Sequence, residues 1–354
     1  MRVALLTTSY PEVPDDAAGH FVRAEARALA RAGHEVHVVA SAPWAGDEGV
    51  RVHPCGGRSL FGWPGAAARA VEQPARLVVA APFAVRAVAA LRAIAPGRVV
   101  AHWAVPCGWP LAVAAGRPLT LVSHGADVRL LAAMPRPARS RLVRTLLDRL
   151  DPGVTDAWRF VATATREALL GSLPTELADE VARRSTIEPP RVDVDARRSS
   201  PYRWPSPGRR ALVAARLVPS KRVELAIGAI AASPGWTLVV AGEGPERARL
   251  EAMAEREAPG RVVFAGLLPR PEVLGLMAGA DVLLHPSSTE AAPTTVREAL
   301  SLGVPVVACD AGDLARWAAS EPGLCVVEAT VAALASALLL ASAPGPARSS
   351  SPAR

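Results

Sequence analysis

Glu290 and Glu298 stand with seven residues between them in "STEAAPTTVREALSLGVPVVACDAG". Pro293 followed by Thr294 and Thr295 reads as a helix start, since proline's missing N–H costs nothing in a first turn. Glu290 is then in the preceding loop and Glu298 about a turn inside the helix. The apolar run after them must be buried, which leaves both carboxylates expected at the rim of a ligand cleft. There they could accept hydrogen bonds from sugar or ribose hydroxyls; solvated helix caps are the plainer alternative. The amides of residues 292–295 would suit a phosphate.

Arg216 and Lys221 follow another apolar run in "ALVAARLVPSKRVELA", and Lys221 is the single lysine among 40 Lys and Arg. An ammonium, in place of the planar guanidinium used elsewhere, suits a point-charge contact in a confined place. Two cations beside helix amides describe a diphosphate site; a chance lysine at a helix start is the alternative. Gly19, at a helix entry in "PDDAAGHFVRAEARALA", either admits a phosphate to the helix N-terminus or is an ordinary turn glycine. His124, after "LTLVS", could hydrogen-bond a ligand hydroxyl, with Asp127 close by, or serve the structure alone. His102 and Trp103 in "AHWAVPCGW" offer a weaker candidate for an acceptor side. "AGEGPERARLEAMA" fails the dinucleotide fingerprint because Arg247 takes the third glycine position, and no phosphate-binding G-x-x-x-x-G-K-[ST] loop is present.

These residues need scaffolding, and the chain supplies it twice. "RVALLTT", "EVHVVA", "RVVAHW", "LTLVS" and "FVATA" in the first half read as buried strands, with helices expected at 20–32 and 137–150. "ALVAA", "WTLVVAG", "RVVFAG", "DVLLHP" and "VPVVAC" repeat the pattern in the second. Strands alternating with helices imply α/β units with parallel sheets, and such sheets bind ligands beyond the carboxyl ends of their strands. The expected organisation is an N-terminal domain over 1–187, a Pro, Ser and Arg-rich linker over 188–210, a C-terminal domain over 211–342 and a tail over 343–354.

At 354 residues the chain suits two domains, and half of it is apolar. "MRVALLTTSYP" lacks a small-residue cleavage site and reads as the first strand of a cytoplasmic protein. The apolar run at 77–95 is interrupted by Pro82, Arg86 and Arg92, and that at 329–342 is short of the roughly 20 residues a spanning helix needs. Cys55, Cys107, Cys309 and Cys325 have no metal or redox spacing and read as reduced, space-filling thiols. No metal site is legible. Residues 1–200 carry 25 arginines against 19 carboxylates, whereas 201–354 carry 15 cations against 14, so the first half is the side to face an anionic partner. No nucleic-acid partner is expected.

Together the segments "GHFVRAEARALARAGHEVHVV", "SHGADV", "ARLVPSKRVE", "VVAGEGPERARLE", "VVFAGLLPRPEVLGLMAGADVLLHPS" and "TEAAPTTVREALSLGVPVVACDAG" resemble the family 4 retaining glycosyltransferases over residues 1 to about 340. The resemblance implies the GT-B fold, two Rossmann-like domains facing a deep interdomain cleft. It implies transfer of a sugar from a nucleotide diphosphate donor, UDP- or GDP-linked, to a hydroxyl acceptor, with retention and with neither cofactor nor metal. Carried over, Arg216 and Lys221 hold the diphosphate in place of a divalent ion, Glu290 binds donor-sugar hydroxyls, and Glu298 binds the ribose. Gly19 admits the donor phosphates to the backbone and His124 contacts the donor sugar. The usual Gly-Phe-Gly after the first glutamate is Ala291-Ala292-Pro293, the usual linker Asn-Gly appears as "PPRVDVD", and the last helix is short or missing after about 342.

Two alternatives share this fold: a sugar-nucleotide 2-epimerase and a non-catalytic partner subunit. A further expectation concerns "RLLAAMPRPARSRLVRTLLDRL", whose Arg129, Arg136, Arg139, Arg141, Arg144 and Arg149 either rest on an anionic inner leaflet, meeting a lipid-linked acceptor, or form a solvated face.

Overall fold

The computed structural model describes residues 1–13, 16, 18–41, 47–61, 66–194, 204 and 208–340, residues 67, 68 and 71 by backbone alone. The chain divides into two compact units, Met1–Asp193 and Val194–Arg354. The division falls inside the expected linker, because its first residues pack on unit one: Asp193 accepts from Arg27 at 2.7 Å and Glu188 pairs with Arg159 at 3.3 Å. Linker residues 195–203 and 205–207, and the expected tail, lie outside the described residues.

Unit one is built on seven strands: β1 Arg2–Leu6, β2 Glu35–Ala40, β3 Val50–Pro54, β4 Arg98–His102, β5 Leu119–Ser123, β6 Trp158–Phe160 and β7 Ser185–Ile187. They lie in the order β3-β2-β1-β4-β5-β6-β7, and every pairing is parallel. Such strands are covered on both faces, which is why β1, β2 and β5 are nearly continuous apolar runs. The order reverses between β1 and β4, so the chain leaves these neighbours in opposite directions and opens a crevice at their carboxyl ends. "FVATA" is corrected: the strand is Trp158–Phe160, and Thr163 already begins the helix Thr163–Leu170.

The stretch Pro74–Ile94 is continuous helix, 21 residues with mean hydropathy 1.9, long and apolar enough to cross a membrane by length and composition. This departs from the interrupted run expected from sequence. Pro82 falls in the first turn of the α-helical part, Ala80–Ile94, where a missing N–H is tolerated. Phe83, Ala87, Leu91 and Ile94 bury one side of it in the core of unit one. The basic face expected at 129–149 loses a member, since Arg139 is buried and donates to the carbonyls of Ala132 and Met134.

Unit two has six parallel strands, β8 Arg209–Ala214, β9 Trp236–Ala241, β10 Val262–Gly266, β11 Val282–His285, β12 Val306–Cys309 and β13 Leu324–Val327, in the order β10-β9-β8-β11-β12-β13. Two apolar layers cover its faces. One gathers Ile227, Ile230, Trp236, Leu334 and Leu338; the other Leu276, Met277, Val296, Ala299 and Leu314. Its order reverses between β8 and β11. The last described helix, Val331–Leu340, packs against the helix Val223–Ala231 of the same unit. Cys55, Cys107 and Cys309 are buried free thiols as expected of space-fillers, but Cys325 on β13 is exposed.

Candidate functional site

The loops that leave β8 and β11 at the reversal point of unit two carry Arg216, Lys221 and Glu290. They are tied together by backbone and side-chain bonds. Ser288 donates its N–H to the Ser220 carbonyl at 2.8 Å, and Arg222 donates to the carbonyls of Pro286 and Ser287 at 2.8 and 2.9 Å. Lys221 ends the short 3-10 turn Pro219–Lys221, which turns its ammonium onto Glu290 Oε1. His285 Nε2, at the end of β11, lies 3.0 Å from the same oxygen. The Lys221 and Glu290 side chains are only 15% and 12% exposed, so the pair is largely withdrawn from solvent screening. Burial opposes ionisation of Glu290, but the polar contact from His285 and the charge of Lys221 outweigh it and bring its pKa down to about 2.

The Glu290 loop is held from the other side by Gly312. Its φ of +63° is left-handed, and a Cβ there would fall 2.7 Å from the Glu290 carbonyl oxygen and 2.9 Å from that of Ala291. Pro293 caps the helix Thr294–Ser301 as the sequence predicts. Having no N–H, it leaves the amides of Ala292, Thr294 and Thr295 as the donors of that turn. Glu298 departs from expectation. Its side chain is 4% exposed and ion-paired with Arg270, so it is enclosed in unit two and not at a rim. Arg216 is half-buried in the loop after β8.

In unit one, Gly19, His102, Trp103, His124 and Asp127 come together at the carboxyl ends of β1, β4 and β5. Gly19 precedes the helix His20–Arg31 with φ +64°, and a Cβ on it would meet the Ser9 carbonyl oxygen at 2.1 Å, so only glycine fits. The His124 ring lies with its centroid 4.9 Å from both Phe21 and Trp103. His102 and Asp127, expected on an acceptor side, are 1% and 2% exposed, held by neighbouring groups of unit one. Asp127 instead accepts from the amides of Ala104, His124 and Gly125 at 2.8, 3.0 and 3.0 Å, fixing the loop that carries His124. His102 Nδ1 is 3.1 Å from His124 Nε2. Burial depresses both rings, His102 to about 3; His124 is likewise lowered well below the ordinary histidine value, by burial and then by its neighbour His102.

Five partners escaped the sequence reading: His285, Arg222 and Arg270 in unit two, Glu25 and Arg159 in unit one. His285 alone left a signal, as a polar residue closing the apolar run "DVLLH". Among the described residues no group of three or more His, Cys, Asp or Glu could hold a metal ion.

Residues 197–349 match the family described as Glycosyl transferases group 1. The match covers most of unit two. The chain is also similar to a 2-deoxystreptamine glucosyltransferase of Streptomyces kanamyceticus, 29% identical over 252 residues that make up 66% of this chain and 63% of the relative. The chain spans less than two thirds of the length of the curated relatives it matches. Among solved structures, sucrose-phosphate synthase from Thermosynechococcus elongatus aligns with a TM-score of 0.71 at 20% identity, over 97% of this chain and 90% of that one. Anabaena HepE in complex with UDP and glucose aligns with a TM-score of 0.65 at 19% identity, over 97% and 90%. The fold is GT-B, and the unit that matches the glycosyl transferase family carries the Lys221 and Glu290 pair.

Proposed function

We propose that this chain moves a sugar from a nucleotide diphosphate donor to an acceptor hydroxyl, with retention and with protein cations in place of a divalent metal. The observation that carries the reading is the Lys221–Glu290 contact, which joins the two loops at the reversal point of unit two. An ammonium has three donors, so Lys221 can keep Glu290 and still meet a phosphate oxygen. Glu290, with two oxygens, can accept from Lys221 and from sugar hydroxyls together. Arg216 adds the second cation that offsets charge growing on the departing diphosphate. The acceptor's proton then passes to that phosphate oxygen.

Glu298 is assigned the ribose, which requires Arg270 to share it. In unit one, Gly19 is assigned a backbone approach to phosphate and His124 a hydroxyl contact. UDP is the first donor base to try, because Anabaena HepE is described with UDP and glucose. An aminocyclitol joins glycolipid and oligosaccharide acceptors in the panel, because a relative is named for 2-deoxystreptamine.

The test is incubation of the full chain with UDP- and GDP-sugars and this acceptor panel, with and without EDTA. The expected outcome is glycoside with the donor's anomeric configuration by NMR, undiminished by EDTA, and a raised melting temperature with the matching nucleotide diphosphate. Absence of both nucleotide binding and transfer would favour the non-catalytic partner. Release of a 2-epimer of the sugar without glycoside would favour the epimerase.

A further inference from the structure

Behind His124 a line of buried polar groups runs back into unit one. Arg159 on β6 donates from Nη2 to Glu25 Oε1 at 2.5 Å and also pairs with Glu188 at 3.3 Å. Glu25 is a buried carboxylate on the helix His20–Arg31, and its Oε2 lies 3.5 Å from His102 Nε2. That nitrogen has no hydrogen-bond partner of good geometry among the described residues. The other nitrogen of His102 faces His124 Nε2 at 3.1 Å. Of the other carboxylates nearby, Asp127 is occupied by three backbone amides and Glu188 by Arg159, so neither competes.

A neutral imidazole carries one N–H and one lone pair. A lone pair on His102 Nε2 would face the Glu25 carboxylate and be repelled, whereas an N–H there is attracted. With the proton on Nε2, His102 Nδ1 must accept. His124 Nε2 must then donate to it, and His124 Nδ1 is left as an acceptor. Both rings are kept neutral by burial, so the alternation holds at physiological pH.

We infer that Glu25, anchored by Arg159, sets the tautomer of His124 through His102, so that His124 presents Nδ1 as a hydrogen-bond acceptor to a ligand hydroxyl. Glu25 and Arg159 are thus positioning residues. The hydroxyl partner rests on the transferase reading; the tautomer does not.

The experiment is long-range 1H–15N NMR of the imidazole nitrogens in the full chain labelled at histidine, with His102→Asn and His124→Asn used to assign the signals. The expected result is Nε2–H in both rings of the wild type. Glu25→Gln should invert the line. Its amide oxygen turns to Arg159 and its NH2 faces His102 Nε2, which must then accept, so both rings move to Nδ1–H. Transfer activity in Glu25→Gln should fall about ten-fold in kcat/KM, the size of one lost hydrogen bond. Nδ1–H on His124 in the wild type would overturn the inference even if Glu25→Gln failed to fold. So would unchanged tautomers in a Glu25→Gln protein with wild-type melting. If neither protein transfers sugar to any acceptor while the tautomers invert, the wiring stands and the transferase reading fails.

Discussion

The guanidinium Nη2 of Arg222 donates to the carbonyl oxygen of Ser287 at 2.9 Å, so the loop after β8 is fastened to the loop after β11 by a side chain. Its Nε does the same to Pro286 at 2.8 Å. The residue achieves this with φ of +46°, a left-handed backbone that costs a non-glycine residue about 1 kcal/mol. Backbone strain and side-chain gain can be separated by substitution. Arg222→Ala keeps the strain and loses both bonds, and should destabilise the chain by about 2–3 kcal/mol in denaturant unfolding. Arg222→Gly loses the same bonds but relieves the backbone, and should be about 1 kcal/mol less damaging than alanine. Alanine and glycine variants of equal stability would show that the left-handed backbone carries no cost.

The central strands of both units were legible because a strand covered on both faces is written in Val, Leu and Ala with little interruption. The strands that escaped are short or lie at the sheet edges: β3, whose "VRVHP" is half polar, β7 with three residues, and β13. In the site, residue types were legible and their partners were not. Glu298 looked like a rim carboxylate because nothing near it in sequence announces Arg270, 28 positions upstream, as its ion-pair partner. His102 and Asp127 likewise looked like acceptor contacts because their enclosure is produced by loops from different strands. Tertiary pairing of this kind has no local signature.

Lys221→Arg tests whether space or charge is what position 221 requires. The Lys221 ammonium reaches Glu290 with only 15% of its side chain exposed, between two loops already fastened by Arg222. A planar guanidinium keeps the charge and needs a wider, flatter opening. Both Lys221→Arg and Lys221→Ala are expected to lower kcat about 100-fold or more, comparable to removal of one transition-state donor. Nucleotide affinity by calorimetry should fall less in the arginine variant. Transfer by Lys221→Arg at the wild-type rate would show that charge alone suffices.

Gly312→Ala should displace Glu290 without touching its side chain. A methyl group 2.7 Å from the Glu290 carbonyl oxygen is inside contact distance, and φ of +63° adds strain of its own. The variant should lose about 2 kcal/mol or more of stability. It should also weaken donor binding, read as a smaller thermal shift on addition of nucleotide diphosphate. Wild-type melting and donor response together would contradict the placement of this loop.

The depressed pKa of Glu290 gives a pH dependence whose sign is fixed. In the unfolded chain the carboxyl titrates near its ordinary value of 4.5, while in the fold it titrates at about 2. The unfolded state therefore binds more protons between these values, and stability rises with pH across that window. The stabilisation is complete above about pH 5 and is lost progressively as pH falls from 4.5 towards 2. The contribution is on the order of 2 kcal/mol after allowance for partial screening. Glu290→Gln keeps the shape and removes the titration, so urea unfolding of wild type and variant should differ most at neutral pH. The two curves should draw together as pH falls from 4.5 towards 2. A constant difference between them from pH 7 to pH 3 would mean that the Lys221–Glu290 pair does not hold the carboxylate in its charged form.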